Sequence, residues 1–412
     1  MRISSPNDPA LIRGLTRARY SRRTALRLSG AGALTAGLAL SGCSIAGEKR
    51  EATPVAQYWS DKESNGHLRF ANWPLYMDSD RTQLRQFTDS TGITVDYQEA
   101  IQENPSWFGQ IQPRLAEGSD IGADLMVMTN GVEFTKLKAL NYLAPLDHDK
   151  LPNYAEYGGE LYKNTDYDPG NEFTVPYTSG ITGIAYNPEY VDREITSIAD
   201  LWDPQFAGRV GMMGDPQEIA NFGLLLNGVA PADSTRDDWE DAARRLEEQR
   251  DRGIVRSYYK QDYIQPLTTG NIWMSMAWSG DVYQQNAEEN ANLRFVVPEE
   301  GATIWTDNMM IPYTARNPVD AAMMMDFLYD PEIAAGLTSY INYVSPVPDS
   351  QDVLRRRAEE ASGEEKQRLA DLAESSLVFP TEEDYERLHN YVTVPVDDEK
   401  SFTGRFLEIT QA

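Results

Sequence analysis

The sequence predicts an α/β protein, and three observations lead to that prediction. From His67 onward, short apolar runs alternate with stretches of helical periodicity, as strands and helices do when they alternate. Two distant segments, 173–177 (FTVPY) and 309–313 (MMIPY), are alike, and each reads as an apolar strand that ends in Pro-Tyr. The chain has 412 residues, of which 41% are hydrophobic and 25% charged, so two or three domains and a sizeable core are expected.

The elements follow from these patterns in chain order. Strands are predicted at 68–73, 93–97, 124–129, 210–213, 273–278 and 293–297. Helices are predicted at 81–90, stopped near Gly92, and at 218–226, 237–252, 281–290 and 320–329. Residues 349–374 are rich in Arg, Glu and Ala, which favours a solvated surface helix that breaks at Gly363.

The first 42 residues have the features of an export signal. Arg22 and Arg23 form a twin-arginine pair, although Ala25 stands where such signals usually carry Phe. The apolar run that follows, 28–40, is too short and too mild for a transmembrane helix. We therefore expect a signal peptide at 1–42.

The signal ends in Leu-Ser-Gly-Cys at 40–43, which resembles the lipobox of bacterial lipoproteins. In a lipobox the cysteine thiol takes a lipid, and Cys43 is the only cysteine of the chain. The polar stretch 43–66 is expected to be a flexible tether. The predicted location is thus outside the cytoplasmic membrane, with a lipid anchor at Cys43.

The charge balance limits the partners. The formal net charge is -27, and removal of 1–42 takes away seven basic residues and one acidic residue. Nucleic acid is excluded as a partner because binding to phosphates needs a basic face. A cationic ligand fits the sign of the charge better.

The sequence offers little catalytic chemistry. His67, His148 and His389 are the only histidines, and none has the spacing of metal ligands. No nucleophile elbow or phosphate-binding loop is found, and neither a metal nor a cofactor is expected. The 64 acidic residues leave one enzyme class open, a carboxylate-based surface hydrolase.

Several segments resemble a known family. Asn72-Trp73-Pro74-Leu75-Tyr76 is similar to a segment of the spermidine/putrescine-binding proteins of bacterial ABC importers. The resemblance covers residues 67–345 and runs in order along the chain. Its segments are LRFANW at 68–73, DLMV at 124–127, IAYN at 184–187, IADLW at 198–202, MAWSGD at 276–281, IWTDN at 304–308, DPEIA at 330–334 and NYVSP at 342–346.

The resemblance implies a two-lobed fold of the periplasmic-binding-protein type, with a ligand cleft between the lobes. Lobe 1 would comprise 67–175 and 310–345, and lobe 2 would comprise 176–309 and 346–412. The two Pro-Tyr segments fall where the family has the two strands that cross between the lobes and act as a hinge.

The resemblance also implies a set of ligand-binding residues. It assigns aromatic, hydroxyl and carboxylate side chains to the cleft: Trp73, Tyr76, Thr129, Asp215, Glu218, Trp278, Asp281, Trp305, Asp307 and Tyr343. This set suits a polyamine, because a buried ammonium group needs a carboxylate or an aromatic face. Each cation–π contact contributes about 0.5–2 kcal/mol.

Most of these residues also have a purely structural interpretation. The tryptophans could be core residues, Asp215 and Asp281 helix N-caps, and Asp307 a turn residue. The chain also departs from the family, since Pro74 and Leu75 replace polar or acidic residues and Gly131 stands where a tyrosine is common. Glu99 or Glu103 are candidates to compensate for the lost carboxylate.

The expected function is capture of spermidine or putrescine for an ABC importer, without catalysis. The expected partners are the polyamine, the permease subunits and the membrane, and the chain is expected to be monomeric. The alternatives are a protein of the same fold that binds another small organic cation or a sugar, and the surface hydrolase.

Overall fold

A computed structural model of the chain describes residues 49–260, 262–289 and 291–411. The predicted signal at 1–42 and the predicted lipidation site Cys43 lie outside these residues. The strands are β1 (His67–Asn72), β2 (Thr94–Glu99), β3 (Leu125–Thr129), β4 (Thr174–Tyr186), β5 (Val210–Met213), β6 (Val255–Tyr259), β7 (Met274–Trp278), β8 (Arg294–Val296), β9 (Ala302–Met310) and β10 (Leu388–Asn390).

The helices alternate with the strands, which confirms the α/β class. They are α1 (Val55–Trp59), α2 (Thr82–Thr91), α3 (Asn104–Ala116), α4 (Val132–Ala139), α5 (Pro152–Tyr157), α6 (Pro216–Leu226), α7 (Arg236–Asp251), α8 (Ile264–Thr268), α9 (Ser279–Glu289), α10 (Pro318–Phe327), α11 (Pro331–Ile341), α12 (Ser350–Glu360), α13 (Gly363–Ala373), α14 (Glu382–Tyr385) and α15 (Glu399–Thr410). The break expected near Gly363 is confirmed, because α12 ends before this residue and α13 begins at it.

The strands form one continuous sheet in the order β2-β1-β3-β9-β4-β7-β5-β6, with β10 on β9 and β8 on β4. The pairs β1–β2, β1–β3, β5–β6 and β5–β7 are parallel, whereas β9 and β4 are antiparallel to each other and to their outer neighbours β3 and β7. The two long central strands therefore join two parallel half-sheets, and these half-sheets are the frames of two lobes.

Strand β4 corrects one prediction. The strand was expected to end at Pro176-Tyr177, but it continues to Tyr186, and all of its residues are buried. The register with β9 shifts between Pro176 and Thr178. Proline has no N–H to donate, so a break in the ladder at this position lets the strand pass through it. The other segment, 309–313, overlaps β9 only at Met309 and Met310, since this strand begins at Ala302 and ends before Pro312.

Two large apolar cores lie in the two lobes. The core of lobe 1 includes Phe70, Leu125 and Met325, and the core of lobe 2 includes Ile219 and Met276. Helix α15 packs into the lobe 2 core through Phe402 and Phe406. Helices α12 and α13 form a smaller cluster that contacts Ala335 of α11 and Tyr283 of α9, so they pack against both lobes.

The segment expected to be a flexible tether, 43–66, differs from that expectation over its described part. The indole Nε1 of Trp59 donates to the carbonyl of Pro145 at 2.8 Å, and both Tyr58 and Trp59 are buried. The guanidinium of Arg50 lies 3.3 Å from the ring centroid of Tyr313. Residues 50–62 thus pack on lobe 1, because two aromatic side chains in a polar stretch find an apolar surface there. Over the described residues, no helix has the length and apolar character needed to cross a bilayer.

Candidate functional site

Strand register places the predicted site on one face of the sheet. Residues that face each other across a ladder point to the same side, and so do residues two apart on one strand. Asp307 and Trp305 of β9 lie opposite Thr178 and Gly180 of β4, and Asp307 also lies opposite Thr129 of β3. Three strands therefore present their side chains to one space between the lobes.

The same face continues into lobe 2. Trp278, the last residue of β7, lies opposite Thr182 of β4. Helix α6 begins just after β5 and brings Glu218 over this point, where Glu218 contacts the side chains of both residues. The crossing strands thus bring together residues that are far apart in the sequence. We call this group the cleft cluster, and its members are Thr129, Thr182, Glu218, Trp278, Trp305 and Asp307 with the side chains that contact them.

Asp307 is a buried carboxylate of the cleft cluster, with an exposed fraction of 2%. Its Oδ2 accepts from the hydroxyl of Tyr76 at 2.5 Å, and its Oδ1 accepts from Thr129 Oγ1 at 2.6 Å. Burial raises the pKa of Asp307 to about 6, although these hydrogen bonds lower it. Among the described residues, no Lys or Arg forms an ion pair with it.

Glu218 is the second buried carboxylate, with an exposed fraction of 3%. Its Oε1 accepts from Thr182 Oγ1 at 3.0 Å, Trp278 Nε1 at 2.8 Å and the hydroxyl of Tyr391 at 2.6 Å. Its Oε2 is buried and has no hydrogen-bond partner among the described residues. Burial raises the pKa of Glu218 to about 7. The carboxylate therefore keeps one oxygen free for a donor.

Asp281 holds tyrosines at the edge of the cluster. Its carboxylate accepts from the hydroxyl groups of Tyr263 and Tyr343, both at 2.9 Å. The ring of Tyr343 packs edge-on against Trp305, with the centroids 5.3 Å apart. Asp281 thus orients an aromatic side chain of the site, and its direct contact with a ligand stays a prediction.

Asp215 has a structural role in this conformation. Its Oδ1 accepts from the backbone N–H groups of Gln217 at 2.8 Å and Glu218 at 3.1 Å, so it is the N-cap of α6. An N-cap satisfies donors at the start of a helix and fixes where the helix begins. Asp215 therefore positions Glu218.

Aromatic rings line the cleft cluster on both sides. Tyr76 stacks on Tyr177 at 5.8 Å with an interplanar angle of 7°, and Trp73 packs against Tyr76 at 6.4 Å. Trp278 meets Trp305 edge-on at 6.3 Å. All five predicted aromatic residues, Trp73, Tyr76, Trp278, Trp305 and Tyr343, are thus brought together with Asp307 and Glu218. Their contact with a ligand stays a prediction.

The lobes touch each other across the cleft. Glu103 of lobe 1 forms an ion pair with Lys260 of lobe 2 at 2.5 Å, and Lys136 forms one with Glu399 at 3.0 Å. Gly131 lies so close to lobe 2 that an added Cβ would be 2.7 Å from Gln217 Oε1. The structure is therefore a closed conformation.

The structure shows the surroundings of Leu75, where the chain departs from the family, and of the two acids expected to compensate for the lost carboxylate. Leu75 is 61% exposed beside the cleft and adopts φ 63°, in the left-handed region. Of the two acids proposed to compensate, Glu99 pairs with Arg81 at 2.7 Å and Glu103 pairs with Lys260 across the cleft. Neither has a contact with Asp307 or Glu218 among the described hydrogen bonds and ion pairs.

Some residues of the cluster were missed at the sequence level. Glu218 accepts hydrogen bonds from Tyr391 and Thr182, and Asp281 accepts one from Tyr263. None of these three donors lies in a segment that carries the resemblance. Tyr391 follows β10, which pairs with β9, and it lies 173 residues after Glu218. Only the strand pairing reveals it, because a lone tyrosine in a polar segment gives no local signal.

Comparison with known proteins agrees with this architecture. Residues 120–363 match the family of bacterial extracellular solute-binding proteins. The chain is 31% identical over 261 residues to the spermidine/putrescine-binding periplasmic protein 1 of Haemophilus influenzae, which covers 63% of this chain and 70% of that protein. It is also 31% identical over 293 residues to a putrescine/cadaverine-binding protein of Pseudomonas aeruginosa, and this alignment covers 68% of this chain and 79% of that protein.

A solved structure extends the comparison to the fold. The spermidine/putrescine ABC transporter substrate-binding protein PotD of Streptococcus pneumoniae superposes with a TM-score of 0.70 and 25% identity. The match covers 84% of this chain and 98% of that protein. The two-lobed fold with two crossing strands is thereby confirmed. The chain belongs to the bacterial extracellular solute-binding proteins.

Proposed function

We propose that the chain is the substrate-binding component of an ABC importer and that it captures a polyamine, spermidine or putrescine. The observation that carries this proposal is the pair of buried carboxylates, Asp307 and Glu218, which have no cationic partner among the described residues. Two buried negative charges need a cation to compensate for their lost hydration. The names of the relatives and of the structural neighbour agree with a polyamine.

The rings around the carboxylates fit the rest of such a ligand. A polyamine has methylene groups between its ammonium groups, and indole and phenol faces pack on methylenes and attract the cation. Trp305 and Trp278 supply such faces beside Asp307 and Glu218. A neutral sugar would leave both carboxylates without a countercharge, so these two acids favour a cation.

The hinge completes the proposal. Strands β4 and β9 join the half-sheets, and lobe 1 (67–175 and 310–345) would rotate against lobe 2 (176–309 and 346–412) about them. Helices α12 and α13 lie in lobe 2 by this division but also contact Ala335 of α11 in lobe 1, so they would limit this motion.

Calorimetric titration of the purified protein tests the ligand. Putrescine and spermidine are expected to bind in the micromolar range, about -8 kcal/mol, and to raise the melting temperature. Amino acids and neutral sugars serve as comparison ligands. If a sugar binds and neither polyamine does, the polyamine assignment fails.

The location is tested separately. We expect an exported protein that is held at the outer face of the cytoplasmic membrane by a lipid on Cys43, as the Leu-Ser-Gly-Cys sequence indicates. Cys43→Ala is expected to fold normally and to move from the membrane fraction to the soluble fraction. Retention of this variant in the membrane fraction would contradict the anchor.

A further inference from the structure

Gly180 lies beneath the indole of Trp305. The two residues face each other across the β4–β9 ladder. A Cβ added at Gly180 would lie 2.1 Å from Cζ2 and 2.6 Å from Cε2 of the indole, well inside contact distance. The backbone of Gly180 is outside the left-handed region, so its conformation does not require glycine. The space taken by the indole is the reason that no side chain fits there.

The position of the indole relative to the carboxylates follows from the same strand. Thr178 lies opposite Asp307, and Thr182 donates to Glu218, so the two acids meet β4 four residues apart. Four residues of a strand span about 13 Å. Gly180 is midway between them and on the same face, so the indole lies between the two carboxylates.

We propose that Gly180 is a positioning residue of the ligand site, because it leaves the space in which the Trp305 indole lies between Asp307 and Glu218. This inference rests on the proposed function and extends it to the orientation of the ligand. An aliphatic cation would lie lengthwise along this face, with its methylenes over the indole and an ammonium group toward each carboxylate. Any side chain at position 180 would lift the ring into the path of the ligand.

Gly183 provides a matched control on the same strand. A Cβ at Gly183 would lie 2.5 Å from the carbonyl oxygen of Val296 and 2.7 Å from the ring of Phe295. It is three residues from Gly180, so it points to the opposite face of β4. An added Cβ would clash at both glycines, at 2.1 Å for Gly180 and 2.5 Å for Gly183, but only Gly180 lies against a ring of the cleft cluster.

The test compares Gly180→Ala with Gly183→Ala by calorimetric titration with putrescine and spermidine and by thermal melting. Gly180→Ala is expected to weaken binding about tenfold or more, because the ring has no room to stay in place. Gly183→Ala is expected to lower the melting temperature and to keep the affinity of the folded protein. Wild-type affinity in Gly180→Ala would overturn the proposal.

A double variant covers the case in which Gly180→Ala does not fold. Trp305→Phe replaces the indole by a smaller ring and so relieves the clash with a Cβ at position 180. Adding Gly180→Ala to Trp305→Phe is therefore expected to change the affinity for putrescine and spermidine by less than about twofold. A loss of about tenfold or more relative to the single variant Trp305→Phe would show that position 180 acts without the indole, and would overturn the proposal.

Near-ultraviolet circular dichroism separates this inference from the ligand assignment. Without ligand, Gly180→Ala is expected to change the tryptophan signal in the wild-type background and to leave it unchanged in the Trp305→Phe background. If the wild-type protein binds neither polyamine, the proposed function fails, and this measurement still decides whether Gly180 holds the indole. An unchanged tryptophan signal in both backgrounds would show that Gly180 does not position the indole, and would overturn the proposal.

Discussion

Asp307 and Glu218 show how single residues set the chemistry of the cleft. Both are almost fully buried, and both are held by neutral hydroxyl or indole donors and not by a basic residue among those described. Neutral donors stabilise a carboxylate without cancelling its charge. The ligand-free site therefore keeps a negative potential that only a bound cation or a proton removes.

Asp307→Asn is expected to weaken polyamine binding by about 2–5 kcal/mol, which is more than tenfold, because an ammonium group loses its charge partner. The ligand-free melting temperature at pH 8 is expected to stay or to rise, since a buried charge has been removed. Calorimetric titration and thermal melting measure the two effects.

Asp326→Asn is the matched control for this variant. Asp326 is half-buried and accepts from the backbone N–H groups of Asn153 at 2.7 Å and Tyr154 at 3.2 Å, away from the cleft. Its substitution is expected to lower the melting temperature and to leave affinity unchanged. A site role for Asp307 is refuted if the two variants behave alike.

Binding is expected to depend on pH. The pKa of Asp307 is about 6 and that of Glu218 about 7, above their ordinary values of 3.8 and 4.5, because burial disfavours the charge. A cation binds the ionised forms, so affinity is expected to rise from pH 5 to pH 8, by up to about tenfold per pH unit for each group below its pKa. Proton release, measured by titration in buffers of different ionisation enthalpy, checks this.

The same raised pKa values act in the opposite direction on the ligand-free fold. A carboxyl group whose pKa is higher in the folded state stabilises the fold most below its ordinary value, and this contribution is lost as pH rises through the folded pKa. The contribution of Asp307 to ligand-free stability therefore falls between about pH 4 and pH 6, and that of Glu218 between about pH 4.5 and pH 7, while affinity rises.

The positions of most secondary-structure elements were predictable from the sequence, but their first and last residues were often not. The apolar runs at 124–129 and 210–213 are β3 and β5 to within one residue, because buried parallel strands are continuously apolar. Pro176 misled the prediction of β4, since the rule that proline ends a strand does not foresee a register shift. The cluster residues Asp307 and Glu218 came from the resemblance, whereas Tyr391 depends on how β10 docks on β9, a contact between distant segments.

Tyr391 directly follows β10, and Tyr391→Phe tests what its hydroxyl contributes to ligand binding. Loss of this hydrogen bond leaves less of Glu218 ionised at neutral pH, so polyamine binding is expected to weaken there and to recover at higher pH. The hydroxyl also lowers the pKa of Glu218, so the pH profile of affinity is expected to move to higher pH. Titration across pH measures both.

Tyr385→Phe is the control in the same segment. The Tyr385 hydroxyl lies 3.3 Å from that of Tyr162, outside the cleft cluster. Neither affinity nor its pH profile is expected to change. A shift of the profile in both variants would show that the segment acts through general stability and not through Glu218.

At the scale of the whole molecule, the ion pairs Glu103–Lys260 and Lys136–Glu399 mark a closed state. Ion pairs near the surface contribute only about 0–1 kcal/mol each, so we expect these two pairs alone to hold the lobes together only weakly without a ligand. Small-angle scattering is therefore expected to show a smaller radius of gyration with saturating spermidine than without it. Identical scattering curves, together with calorimetric binding, would exclude closure about the crossing strands.

The crossing strands also decide how the molecule unfolds. Thr182 of β4 belongs to the ladder with β9 and to the ladder with β7, so the hydrogen bonds of one half-sheet continue into the other. Strand β4 contributes Val175 to the core of lobe 1 and Ile184 to the core of lobe 2. Neither lobe can lose its core without stripping a strand from the other. The two lobes should therefore melt as one cooperative unit, although they move as two bodies when the cleft opens.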